Sequence, residues 1–174
     1  MTLTLFSFSA FQLLSYTLIM KPNYILIPLA VVAVSVIGSM FTSAGIGSGW
    51  YEMIARPDWT PPGSVIGAVW TTIFVLTAVS ALLVWNAKGR DRRIRSAMVA
   101  YAVNGILNVA WSYIFFVRHW LGFAAFEAGL LGVSVVVIMA LIWKRSRSAA
   151  LLLAPYACWA SFATFLTFMI WRMN

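Results

Sequence analysis

Five long apolar stretches run through the sequence and leave few folds open to it. Each has about the ~20 residues that a helix needs to cross the ~30 Å hydrocarbon layer of a bilayer. Lipid offers the backbone no hydrogen bonds, so such segments form helices rather than an open sheet, and short connections make neighbouring helices antiparallel. We therefore predict an all-α membrane protein, an up-and-down bundle of five transmembrane helices. The predicted spans are residues 24–44, 64–86, 96–117, 121–143 and 149–171.

The composition excludes a water-soluble domain. Hydrophobic residues make up 63% of the chain and charged residues 9%, whereas about 25% of a soluble domain is charged. A small domain leaves much of its chain exposed, so a fold of this size in water could not bury so much apolar surface. A length of 174 residues is typical of one domain.

The positive charge is concentrated in the connections. A net charge of +8 would suit a nucleic-acid partner, but its distribution indicates a membrane topology signal instead. Five spans put the N-terminus and the second and fourth connections on one side, with nine Lys and Arg, while Arg56, Arg118 and Arg172 lie on the other. We expect a bacterial inner-membrane protein, and in such a protein this split predicts a cytoplasmic N-terminus, with the first loop and C-terminus outside. The nine residues are Lys21, Lys88, Arg90, Arg92, Arg93, Arg95, Lys144, Arg145 and Arg147.

The first 20 residues are apolar or hydroxyl-bearing and carry no charged side chain. They lack the basic start and small-residue cleavage site of a signal peptide. A sixth span or a true start at Met20 are the other interpretations, and we favour the start at Met20. Residues 1–22 are therefore predicted to be an N-terminal extension, and residues 23–174 the transmembrane domain.

Nine tryptophans divide into two groups. Tryptophan at a span end is typical of the aromatic belt at the membrane interface, which accounts for Trp85, Trp120, Trp143 and Trp171. The remaining five lie in the first loop or among small and polar residues within spans. They are Trp50, Trp59, Trp70, Trp111 and Trp159.

Residue spacing gives three of the spans an aromatic face. Asn104, Asn108 and Trp111 stand at i, i+4 and i+7 and so share one face, and two amides in hydrocarbon favour an inward orientation. The other two faces are Trp70 with Phe74, and Tyr156 with Trp159, Ala163 and Leu166. Ordinary bundle packing and a pocket for a flat apolar ligand would both produce such faces.

The first loop favours the pocket. Residues 50–63, WYEMIARPDWTPPG, form a segment that we name the tryptophan loop. Its prolines, Pro57, Pro61 and Pro62, restrict the backbone and lower the entropy lost when the loop becomes ordered. We expect this stiff aromatic segment to cover a pocket between the helices.

These residues resemble the signature of the TspO/MBR family of tryptophan-rich sensory and translocator proteins. The resemblance covers about residues 24–174. It rests on Trp50-Tyr51, Arg56-Pro57, Trp59, Pro61-Pro62 and Val69-Trp70, and continues through Asn108-x-x-Trp111, Phe115-Phe116 and Pro155-Tyr156-x-x-Trp159-x-x-Phe162-Ala163-Thr164. Two departures are Thr167, where the family usually has Asn, and Phe168, where the sterol-binding pattern of animal members has Tyr; no sterol binding is predicted.

The resemblance implies a five-helix, commonly dimeric membrane protein that binds porphyrins or haem-type tetrapyrroles in sensing, transport or stress regulation. Protoporphyrin IX or haem is the expected ligand, and no required cofactor is expected. Light-dependent porphyrin degradation and polyspecific export of apolar compounds are the alternatives. Carried over by position, the ligand-binding residues are Trp50, Tyr51, Trp59, Trp70, Asn108, Trp111, Tyr156, Trp159 and Ala163.

Conventional catalysis and metal binding are not predicted. A single cysteine, Cys158, and a single histidine, His119, are too few for a Cys/His metal cage, and no nucleophile–base pair is recognisable. Glu127 is the one acidic residue inside a predicted span, which makes it a functional candidate, although nearby interfacial water could equally solvate it. Ala124, Ala128 and Gly132 have the spacing of a close helix contact.

Overall fold

A computed structural model describes residues 21–87 and 92–174, and in these ranges the chain is helical with no strand. Predictions for residues 1–20, Lys88 and Arg90 lie outside the described residues. The described helices are α1 (Asn23–Gly47), α2 (Trp50–Met53), α3 (Gly63–Asn86), α4 (Arg92–Phe116), α5 (Leu121–Trp143), α6 (Arg147–Leu151) and α7 (Ala154–Met173).

In the part of the chain that the structure describes, five spans are long and apolar enough to cross a membrane, which confirms the predicted all-α bundle. Most boundaries differ from the prediction by one to four residues, and two of the differences have a structural cause. Helix α4 begins at Arg92, because its basic first turn continues the helix beyond the apolar segment. The fifth span is divided into α6 and α7, since Pro155 has no N–H to donate to the carbonyl four residues earlier.

The helices alternate in direction, so the bundle has two distinct ends. The loop end carries the tryptophan loop, the Arg118–Trp120 connection and the C-terminus. The basic end carries the start of α1, the end of α3, the start of α4 and the connection before α6. Helix α5 packs between α4 and α7, while α1 packs on α4 and α3.

The interior contains two clusters of buried side chains. The basic-end cluster is largely aliphatic and includes Ile138, Val135 and Leu153, each almost fully buried. The loop-end cluster is built around Phe115 and Phe116, with the tryptophan loop packed on it. Ser80 stabilises the basic end by donating to the Ala149 carbonyl over 2.7 Å.

Glycines permit two close helix contacts. A Cβ at Gly45 of α1 would lie 2.8 Å from the Phe116 carbonyl oxygen of α4, so only glycine fits at this crossing. On α5, a Cβ at Gly132 would lie 3.7 Å from the Ala160 Cβ of α7, and Ala124 and Ala128 are buried. The predicted seam of small residues therefore belongs to the α5–α7 region of the core.

Candidate functional site

A cavity of about 370 Å³ lies inside the loop half of the bundle. Helices α1, α3, α4, α5 and α7 form its wall, and Tyr51 of the tryptophan loop completes it. The volume falls in the lower part of the 300–1,000 Å³ range typical of ligand pockets. Six of the nine residues predicted to bind ligand line this cavity: Tyr51, Trp70, Asn108, Trp111, Trp159 and Ala163.

The other three predicted residues surround the cavity without lining it. Tyr156 is buried behind the wall, where its ring meets the Trp70 ring edge-on at 5.8 Å. Trp50 stacks on His119 with ring centroids 3.9 Å apart. Trp59 is 46% exposed and stacks against Phe165 on α7, 5.7 Å between centroids. These three residues contact the structure around the cavity rather than the cavity itself.

Aromatic rings dominate one side of the cavity. Trp70 and Phe74 lie 5.8 Å apart on α3, and Trp111 stacks on Phe115 at 5.1 Å on α4. Trp159 packs beside Phe162 on α7, with 5.1 Å between their centroids. Such flat faces favour stacking with a planar guest.

Helix α1 supplies a polar wall that sequence reasoning missed. Ser35, Gly38, Ser39 and Thr42 face the cavity at i, i+3, i+4 and i+7, a spacing that puts them on one helix face. The hydroxyls of Ser39 and Thr42 donate to carbonyls of their own helix, so their oxygens keep acceptor capacity for a guest. The spacing of these small and polar residues on one helix face is the sequence signal that could have identified this wall.

The amides of α4 face inward, as their spacing predicted. The Asn108 amide donates to the Tyr156 hydroxyl oxygen over 3.3 Å, and the Asn104 amide donates to Ser134 over 2.8 Å. Both asparagines are buried. These bonds join α4 to α7 and to α5 directly beneath the cavity.

Two hydrogen-bond donors in the cavity wall have no acceptor among the described residues. The indole N–H groups of Trp111 and Trp159 are buried and make no hydrogen bond within the described part of the chain. A buried donor without a partner costs about 1–3 kcal/mol. Both residues line the cavity, so an acceptor on a bound molecule, or water, is the natural partner for these groups.

The tryptophan loop is fastened at several points. Gly49 takes the left-handed conformation, φ 75°, which turns the chain into α2. The Asn174 side chain accepts from the Ala55 N–H over 3.0 Å and donates to the Ala55 carbonyl over 2.9 Å.

Arg56 pairs with Glu52 over 3.1 Å and lies over the Tyr51 ring. Tyr51 first, and Glu52 after it, raise the pKa of Arg56 above its ordinary value, so this guanidinium stays charged.

The described residues contain no group of three or more His, Cys, Asp or Glu side chains that could hold a metal ion. What they offer is a hollow with aromatic faces, hydroxyls on α1 and unpaired indole donors. This arrangement suits a flat, largely apolar molecule with a few polar atoms at its edge.

Comparison with known proteins finds relatives over most of the chain. The family model named TspO/MBR family matches residues 25–172. A membrane protein of Bacillus subtilis called YtaB is 36% identical over 140 residues, covering 78% of this chain and 90% of the relative. The tryptophan-rich protein TspO of Chlorobaculum tepidum is 32% identical, covering 82% and 89%.

The human translocator protein is 32% identical over 139 residues, which cover 79% of this chain and 82% of the relative. The region that the family model matches, residues 25–172, includes the tryptophan loop and all but the outermost residues of the five spans. The chain therefore belongs to the TspO/MBR family.

Proposed function

We propose that the protein is a membrane receptor or carrier that binds porphyrins or haem-type tetrapyrroles in the tryptophan-lined cavity. Such binding would serve tetrapyrrole sensing, transport or stress regulation. The observation that carries the proposal is the meeting of Trp70, Trp111 and Trp159 around one cavity. Membership of the family supports the same ligand class.

The chemistry of the wall suits protoporphyrin IX. Its ring system is a large planar π-surface, which stacks on indole and phenyl faces. Its carboxylates are acceptors for the unpaired indole N–H groups of the wall. A tetrapyrrole would fill the cavity and extend from it, so we expect the tryptophan loop to move when it binds.

A second function, light-dependent degradation of the bound porphyrin, is favoured by one specific observation. Three indole rings border the cavity, and an electron-rich indole beside a photoexcited ring is a plausible partner in oxidation. Export of apolar compounds is the remaining alternative, with Glu127 as the acidic residue it requires.

The proposed orientation has the basic end in the cytoplasm of a bacterium and the loop end outside. Support comes from Lys21, Arg92, Arg93, Arg95, Lys144, Arg145 and Arg147, the described Lys and Arg at the basic end; the loop end has Arg56, Arg118 and Arg172. This asymmetry is what the positive-inside rule uses. A homodimer, as is common in the family, belongs to the same proposal.

The test is a titration of purified protein with protoporphyrin IX in the dark. Following the porphyrin's own absorption keeps the signal independent of the tryptophan count. We expect saturable binding that weakens about two- to tenfold in Trp70→Phe and Trp159→Phe, because a stacked pair contributes about 0.5–1.5 kcal/mol beyond its buried area. Trp143→Phe, at the basic end and 43% exposed, is the matched control and should bind normally.

Wild-type protein that shows no saturable binding would rule out the tetrapyrrole proposal. Illumination of the saturated complex then separates the two functions. New absorbing products that form with the wild type and not with Trp159→Phe would favour degradation, while unchanged porphyrin would favour binding or transport.

A further inference from the structure

Glu127 on α5 is a buried acid that the proposed binding mode does not use. Of the four acidic residues in the sequence it is the one inside a span. It is 4% exposed, and neither carboxyl oxygen has a hydrogen-bond partner among the described residues. Burying an acidic side chain within a membrane span costs free energy, which indicates a functional role.

The hydrogen bond between Asn104 and Ser134 locates Glu127 relative to the cavity. This bond fixes the register of the antiparallel helices α4 and α5. Trp111 lies seven residues after Asn104, and Glu127 lies seven residues before Ser134. Trp111 and Glu127 therefore each lie about two turns, roughly 10.5 Å, from this hydrogen bond, and in the same direction along the bundle. A spacing of seven residues also keeps each of them on the helix face that makes the bond. Glu127 and Trp111 consequently occupy one layer of the bundle.

That layer borders the cavity. Trp111 lines it from α4, and Ala128 and Leu131, the residues one and four positions after Glu127, line it from α5. Glu127 itself does not line the cavity. Its position between these residues and Trp111 puts it next to the wall, in the same layer as an indole whose N–H is also unpaired.

No basic side chain stands within the neighbouring spans. Helix α4 has none between Arg95 and Arg118, and the fifth span has none between Arg147 and Arg172. On α5 itself the sequence contains none before Lys144. The charges that could pair with Glu127 all belong to the ends of the bundle.

An uncompensated carboxylate in an apolar interior is costly, and a cation nearby removes much of that cost. Coulomb attraction acts over several ångströms in surroundings that screen it weakly, so a guest in the cavity feels the charge without touching it. The indole and phenyl faces of the wall attract a cation as well.

We propose that Glu127 gives the cavity a second ligand class, planar aromatic molecules that carry one positively charged nitrogen. The charge of such a ligand lies toward the layer of Glu127 and Trp111, with its rings between the aromatic walls. The inference uses the same cavity as the proposed function but not the tetrapyrrole ligand.

Two probes of the same shape test it. N-methylacridinium carries a fixed positive charge, whereas acridine is neutral in mildly alkaline buffer. Binding of each is measured by fluorescence titration of the purified protein in a nonionic detergent. We expect the wild type to bind the cation about tenfold more tightly than the neutral probe. Glu127→Gln should lose this preference, and Glu127→Asp should keep most of it. The control Asp91→Asn, an acid of the basic run between the second and third predicted spans, should match the wild type.

Equal affinity of the wild type for the two probes would overturn the proposal, even if Glu127→Gln fails to fold. So would a preference that survives in folded Glu127→Gln. The dark titration of wild-type protein with protoporphyrin IX is a separate result, so failure of the tetrapyrrole proposal is distinguishable from failure of this one.

Discussion

The two halves of the bundle use the same helices in different ways. At the basic end, aliphatic side chains such as Ile138, Val135 and Leu153 leave almost no exposed surface. At the loop end, Phe115, Phe116 and the tryptophan loop build an aromatic cluster. The cavity lies between the two clusters, with Phe115 lining it from one and Leu131 from the other. One half is close-packed, and the other encloses a hollow.

The difference follows from the shapes of the side chains. Branched aliphatic groups and alanines interdigitate between helices at crystal-like density. Flat rings prefer edge-to-face or offset contacts, which are harder to combine without gaps. Among the described residues, the unpaired buried groups of Trp111, Trp159 and Glu127 belong to the α4–α5–α7 region around the cavity, and a fourth, the Thr77 hydroxyl, lies on α3 away from the cavity wall. The comparison suggests that the basic half stabilises the fold and that the loop half is available for binding.

The largest expected effect comes from opening a gap in the basic half. Ile138→Ala should lower the free energy of unfolding by about 2–5 kcal/mol, because the surrounding helices cannot collapse into the space. Porphyrin affinity should stay within about twofold, since Ile138 is remote from the cavity wall. Thermal unfolding and the dark titration measure the two quantities. Val137→Ala, at a position 46% exposed, is the control and should change stability by about 0.5 kcal/mol or less.

If Ile138→Ala lowers the free energy of porphyrin binding by as much as it lowers the free energy of unfolding, the two halves act as one unit and the comparison fails.

A smaller effect is expected where α1 crosses α4 at the loop end. Gly45→Ala places a methyl group 2.8 Å from the Phe116 carbonyl oxygen, and this backbone atom cannot rotate away. We expect a loss of about 1–3 kcal/mol together with weaker porphyrin binding, because α1 forms part of the wall. Gly47→Ala is the matched control, since nothing lies within 4 Å of its added Cβ. Equal melting temperatures for the two variants would contradict the close approach.

The smallest effect is expected at the C-terminus. Asn174→Ala removes both hydrogen bonds to Ala55, and an exposed bond of this kind contributes about 0.5–1.5 kcal/mol. Global stability should change little, while hydrogen exchange at the Ala55 amide should become faster. Exchange that is unchanged at Ala55 would mean that other contacts hold the tryptophan loop.

Sequence periodicity was sufficient to predict the membrane spans and the face of α4 that points into the bundle. Hydropathy predicts the spans because lipid dictates their length, and the spacing of Asn104 and Asn108 predicts their inward direction. It could not place Trp50 or Trp59. Their positions depend on His119 and Phe165, which are distant in the sequence, so those contacts are settled only when the loop packs on the folded bundle.

The exposed outer face of α1 determines whether a ligand would reach the cavity from lipid or from water. Leu29, Val32 and Val36 of this helix are at least half exposed, while its hydroxyl face lines the cavity, so a single helix separates the cavity from hydrocarbon. A flat apolar compound partitions into that hydrocarbon before it reaches any protein. Its mole fraction in the bilayer, rather than its concentration in water, is the quantity that sets occupancy of the cavity, and affinities measured in detergent scale with the detergent present.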